Sequence, residues 1–98
     1  MQIDKKQEGE KLTLMVTGRL DTNTSPDLEA ALNLDGVTDV VFDLSGLEYI
    51  SSAGLRILLA VQKTMMASGG RMTVASPNAT VKGVFDITGM SDIFTIVR

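Results

Sequence analysis

The stretch "VVFDLSGLEYISSAGLRILL" (residues 40–59) changes its hydrophobic rhythm part-way along. With Asp39 in front, its opening reads "DVVFDL" (39–44), a continuous apolar run between acidic ends. β-branched and aromatic residues dominate it, which predicts a central strand, covered on at least one face and parallel to a neighbour. Ser45-Gly46 marks a tight turn, and "SGLEYISSAG" (45–54) brings the chain round. From Gly54 the pattern becomes helical: in "GLRILLAVQKTMMASGG" (54–70), Leu55, Leu58, Leu59, Gln62 and Met66 share one stripe, widened by Ile57, Val61 and Met65. Gly69-Gly70 supplies a left-handed stop. A buried strand feeding a long amphipathic helix is the unit of an α/β fold.

Working outward, "KLTLMVTGRL" (11–20) alternates, with Leu12, Leu14 and Val16 on one side, as a half-buried strand does. The preceding "MQIDKKQEGE" contains Ile3 as its strong apolar residue and ends in a Gly-containing turn, so it reads as a polar edge strand in a hairpin. "SPDLEAALNL" (25–34) predicts a helix with Ser25 as N-cap, Pro26 at the first position and Asp27 and Glu29 at the positive end of the dipole; Leu28 and Leu32 share a face. "RMTVA" (71–75) is another alternating strand. "SPNATVKGVFDITGM" (76–90) repeats the start signal with Ser76 and Pro77, buries Val81, Val84, Phe85 and Thr88, and stops at Gly89. "IFTIV" (93–97) is a last short strand or an extended tail. The order β-β-α-β-α-β-α-(β) gives an α/β sandwich with a mixed sheet.

Composition narrows the chemistry. The 98 residues form one small domain, 44% hydrophobic and 21% charged. There is no cysteine and no histidine. Disulfides, thiolate nucleophiles, most hydrolytic triads and most zinc sites are thereby excluded. The net charge is −3 and no basic run occurs, which argues against direct nucleic-acid binding. No apolar segment approaches the roughly 20 residues that span a bilayer, so no membrane insertion is expected, and a polar N-terminus points to a cytoplasmic protein. Neither G-x-x-x-x-G-K-[ST] nor G-x-G-x-x-G is present. Asp43, Glu48 and Asp86 read as strand-end or helix-surface charges.

Ser51 and Ser52 stand at the joint between strand and helix. One of them suffices as an N-cap, and no Glu or Gln stands three residues on to complete a capping box. Ala53 and Gly54 are small enough to leave the backbone of this corner approachable. The joint after a central parallel strand is where α/β proteins place their sites. A phosphoryl group there would meet the positive end of the helix dipole and free N–H groups, while its charge of about −1.5 to −2 would repel a docked partner. Arg56 is a cation in the first turn, where it opposes the dipole. It reads as a solvated surface residue, a partner contact or the mate of a phosphate on Ser52.

The same stretch resembles the signature of the STAS domain, the fold of bacterial anti-sigma factor antagonists: an apolar strand, Asp-Leu-Ser-Gly-Leu, then aromatic-x-x-Ser-x-Gly-Leu opening a helix. "VTGRLDTNTSPDLEAAL" (16–32) and "VFDITGMSDIFTI" (84–96) resemble two further regions of that family. The resemblance implies a single STAS-like domain over residues 1–98, with a mixed four- to five-stranded sheet and three to four helices packed on it. It implies a non-enzymatic partner switch without a cofactor of its own. The unphosphorylated chain binds an anti-sigma factor that is also a serine kinase, the sigma factor is released, phosphorylation ends the complex, and a phosphoserine phosphatase restores it. The phospho-accepting serine carries over to Ser52. The loop Asp carries over to Asp21, near Ser52, where Thr22, Asn23 and Thr24 share a docking surface with Ser51, Ala53, Gly54 and Arg56. The chain departs from the family at Ser51, where many phosphorylated members have Asp; this makes Ser51 the competing acceptor. A second expectation is a constitutive STAS subunit of a membrane-associated lipid-transport or other ATPase complex, with no phosphorylation cycle.

Overall fold

A hairpin opens the chain. β1 (Gln2–Glu8) and β2 (Lys11–Leu20) run antiparallel, and Gly9, at φ +61°, makes the reversal that a side-chain-bearing residue resists. In the computed structural model, which describes residues 1–98, there follow α1 (Ser25–Ala31), β3 (Asp39–Asp43), β4 (Leu47–Ile50), α2 (Ser52–Ala67), β5 (Arg71–Ala75), α3 (Ala79–Thr88), a single 3-10 turn (Met90–Asp92) and β6 (Thr95–Val97). The sheet order is β1-β2-β3-β5-β6, with β4 paired to β2. Every pairing except the hairpin is parallel. The sheet is therefore mixed, as expected, with six strands, one more than the upper expectation.

Register explains which side chains meet. Leu14 pairs with Phe42, and Phe42 with Val74, so these side chains form one row across three strands. With Leu12, Val16, Val40 and Met72 they make a fully buried face. Leu28 of α1, Leu58, Val61 and Met65 of α2, and Val81 and Phe85 of α3 cover it. Phe94 closes the far end against Phe85, edge to face at 5.5 Å between ring centres. The alternate residues, Thr13, Val41, Asp43, Thr73 and Ala75, are only half-buried, and Met15 is 45% exposed. The molecule is thus two-layered: helices on one face, the other face left open.

Several local expectations change. β4 lies inside the segment read as a turn. Its buried residues are Leu47 and Ile50, three apart, so it lacks the period of two that marks a strand. It forms because the last three residues of β2 need a partner beyond the end of β3, and a register shift between Gly18 and Arg19 accommodates it. Thr24, not Ser25, holds the N-cap position of α1; Ser25 is buried and donates its hydroxyl to the Asp21 carbonyl at 2.6 Å. Asn78, not Ser76, caps α3, accepting from the Val81 N–H at 2.8 Å. Ser76 instead takes a left-handed φ of +57° and donates its N–H to Val97, tying the turn to β6. On α2 the buried stripe runs through Met65 rather than Met66, which is 67% exposed. Thr88, expected inside, is exposed and returns its hydroxyl to the Val84 carbonyl. No helix is long and apolar enough to cross a membrane.

Candidate functional site

β2 ends at Leu20 and β4 at Ile50, and these two residues are register partners. The Ser51 N–H donates to the Leu20 carbonyl at 2.8 Å. Parallel pairing therefore releases two segments side by side from neighbouring strand ends: Asp21–Thr24 and Ser51–Gly54. The structure brings the sequence-predicted residues of these two segments to one corner.

Asp21–Thr24 is a closed polar turn. The Asp21 Oδ1 accepts from the backbone N–H groups of Asn23 (3.0 Å) and Thr24 (3.1 Å). The Thr24 Oγ1 accepts from the Asp21 N–H at 2.9 Å, and Arg19 O lies 2.8 Å away as its acceptor. The Thr24 backbone N–H holds the Asp21 carboxyl below the usual carboxylate range; the Thr24 hydroxyl, the Asn23 N–H and Arg19 add to this, while desolvation opposes it. The carboxylate is engaged by its own turn, which holds the turn as a preformed surface. Thr22 and Asn23 project into solvent from it. Arg19 is fixed in turn over the ring of its register partner Tyr49, 4.5 Å from the ring centre.

The second segment opens α2. Ser51 occupies the N-cap position with extended backbone (φ −96°, ψ 175°), yet its side chain makes no capping bond. Its Oγ is buried without a partner. Ser52, the first residue of the helix, is exposed. The two serines therefore face different surroundings, and only Ser52 presents its side chain outward. Gly54, expected to leave the corner approachable, is instead buried. A Cβ there would lie 2.7 Å from Leu20 Cγ and 2.9 Å from Ile50 Cγ1, so the glycine lets α2 close against the two strand ends. Ala53 is half-buried beside it and Arg56 is exposed.

Two shallow hollows flank this helix start. One of about 400 Å³ lies between α1 and α2, lined by Thr22, Pro26, Glu29, Ala53, Arg56 and Ile57 among others. The other, about 240 Å³ and mostly apolar, lies between α2 and the end of α3, lined by Ser52, Leu55, Arg56, Leu59, Thr88 and Met90. Sequence reasoning missed Pro26, Glu29, Leu59, Thr88 and Met90 as neighbours of the site. Their sequence signals were helix-start chemistry and helical periodicity, which say nothing of which helices meet. A larger hollow of about 580 Å³ lies elsewhere, lined by Glu8, Glu10, Lys11, Thr38, Asp39 and Arg71 with Gly69 and Gly70. No hydrophobic side chain lines it, and no residue of the Ser52 corner takes part.

The chain is 38% identical over 73 residues to a Bordetella bronchiseptica protein, BtrV, provisionally named an anti-sigma factor antagonist; the match covers 74% of this chain and 63% of that one. It is 29% identical over 84 residues to the anti-sigma-B factor antagonist of Staphylococcus epidermidis, covering 83% of this chain and 78% of the relative. Among solved structures, Bacillus SpoIIAA in its unphosphorylated form superposes with a TM-score of 0.85 over 99% of this chain and 89% of its own, at 20% identity. Its phosphorylated form gives 0.72 over 99% and 92%, at 19% identity. At such identities the likeness concerns the fold. The model of the STAS domain family matches residues 2–98, and with it the chain belongs to that family.

Proposed function

We propose that this protein is an anti-sigma factor antagonist working as a phosphorylation-controlled partner switch, with residues 1–98 acting as one STAS unit in the cytoplasm. The single observation that carries the reading is the corner where Ser52 stands exposed on the first turn of α2 beside the preformed Asp21–Thr24 turn, while the hydroxyl of Ser51 is buried. The names of the similar proteins support its coarser part, anti-sigma factor antagonism.

In the unphosphorylated state, Asp21, Thr22, Asn23 and Thr24 together with Ser52, Ala53 and Arg56 dock on an anti-sigma factor that is also a serine kinase. Ser51 and Gly54 support that surface from behind. The kinase then transfers the γ-phosphoryl group of ATP. The Ser52 hydroxyl gives its proton to a base of the kinase, a P–O bond forms at Oγ, and the bond to the bridging oxygen breaks to release ADP. The new charge sits at the helix N-terminus, which tolerates it, and inside the contact, which does not. A phosphoserine phosphatase resets the switch. The chain binds and is modified; it catalyses nothing itself.

The test is affinity for the cognate kinase, measured for wild type, Ser52→Ala and Ser52→Glu. Ser52→Ala is expected to bind as wild type does and to accept no phosphate; Ser52→Glu is expected to bind at least tenfold more weakly, on the scale of about 1.4 kcal/mol. Equal binding of Ser52→Glu and wild type makes the chain a constitutive subunit instead. Phosphorylation of Ser52→Ala moves the acceptor to another hydroxyl.

A further inference from the structure

Arg56 stands one helical turn beyond Ser52, both residues are exposed, and both line the apolar hollow between α2 and α3. Residues four apart on a helix bring their side chains together, and an anion preceding a cation at this spacing is the favourable order. In the unmodified protein Arg56 has no ionic partner: the ion pairs are Lys6–Glu8, Arg71–Asp39 and Lys82–Asp86. Glu29 is the only acid lining either flanking hollow, and it lies within ion-pair distance of no cation. The first turn of α2 holds no acidic residue, and the Ser51 hydroxyl accepts from none of its amides. An unpaired guanidinium thus sits one turn into the helix, at the spacing from which it reaches an anion placed on Ser52.

We propose that Arg56 is the internal counter-ion of phosphorylated Ser52. The inference rests on the phospho-switch reading and deepens it. A guanidinium presents paired donors that match two phosphate oxygens, a fit that an ammonium lacks. Pairing draws the Arg56 side chain across the hollow lined by Leu55, Leu59 and Met90. Phosphorylation then does two things to one surface. It adds negative charge at position 52 and withdraws the positive charge of Arg56 from any acidic group of the partner. Both changes weaken the same contact.

The experiment uses the whole chain with phosphoserine built in at position 52 during synthesis, so it is independent of any kinase. The second ionisation of the phosphate, ordinarily near pH ~6, is followed by phosphorus NMR in wild type, Arg56→Lys and Arg56→Gln. The expected value in wild type lies below that of Arg56→Gln by about half a unit at low salt, with Arg56→Lys between them. Raising the salt to about 0.5 M should remove most of the difference. The same ionisation in wild type and Arg56→Gln, or a difference that salt leaves unchanged, overturns the proposal. Unfolding curves of the three unphosphorylated chains should coincide, because Arg56 has no partner to lose. Failure of this titration leaves the kinase-binding result of Ser52→Glu standing, and the reverse also holds.

Discussion

The starts of α2 and α3 are built in opposite ways. At α3, Asn78 accepts the Val81 N–H at 2.8 Å and donates its own amide to the Leu47 carbonyl at 3.0 Å, so one side chain caps the helix and ties it to β4. At α2, Ser51 holds the same position but its side chain caps nothing, its hydroxyl is buried without a partner, and no acid stands in the first turn. A good cap contributes about 1 kcal/mol. α3 uses that contribution; α2 forgoes it and instead presents its first turn, with Ser52, to solvent. The difference separates a helix end tied down by its own side chain from one whose first turn stays open to solvent.

Substitutions at four positions break or sharpen this contrast. The largest effect is expected at Gly54, where the start of α2 has no side-chain cap and rests on close packing against the two strand ends. Gly54→Val drives two methyl groups and a Cβ into Leu20 and Ile50 and should lower stability by about 3 kcal/mol in urea unfolding; Gly54→Ala should cost about 1–2. Next comes the paired comparison of caps. Asn78→Ala should cost about 1–2 kcal/mol, because it removes a cap and a bond to a strand carbonyl, whereas Ser51→Ala should change stability by less than about 0.5 kcal/mol or raise it slightly. Equal losses at the two positions would show that Ser51 caps in solution and would erase the contrast.

The smallest effect concerns the turn beside Ser52. Asp21 is held below its usual range chiefly by the Thr24 N–H. A carboxyl depressed in the folded state adds stability that is complete above its unfolded value of about 4 and is lost as the pH falls through the folded value. Asp21→Asn should therefore flatten the fall of stability below about pH 4 relative to wild type, in melting temperatures measured across that range. An unchanged acid limb would mean that the turn opens before Asp21 takes up its proton.

Much of the architecture was legible in local patterns. The alternation of Leu12, Leu14 and Val16, the apolar run ending at Phe42 and the helical stripe through Leu58 each reflect a short-range period that burial on one side imposes. β4 was not legible, because Leu47 and Ile50 are buried by what surrounds them rather than by alternation. The caps show a subtler limit. Ser-Pro looked like a helix start twice, and each time a neighbour held the cap position, since φ and ψ at that residue depend on how the preceding strand exits the sheet.

At the site, the sequence alone determined the candidate residues: two serines after a buried strand, small residues behind them, and a polar Asp21–Thr24 segment at the end of another strand. The family resemblance ranked Ser52 ahead of Ser51, but residue type left the surroundings of the two hydroxyls undistinguished. Only the tertiary structure separated them, because parallel pairing of β4 with β2 turns Ser51 in beneath the Leu20 carbonyl and leaves Ser52 outside. The same pairing sets Asp21 beside them from thirty positions away. Side-chain type is written residue by residue, but exposure and neighbourhood follow from which strand ends lie together, and that is decided by the whole core at once.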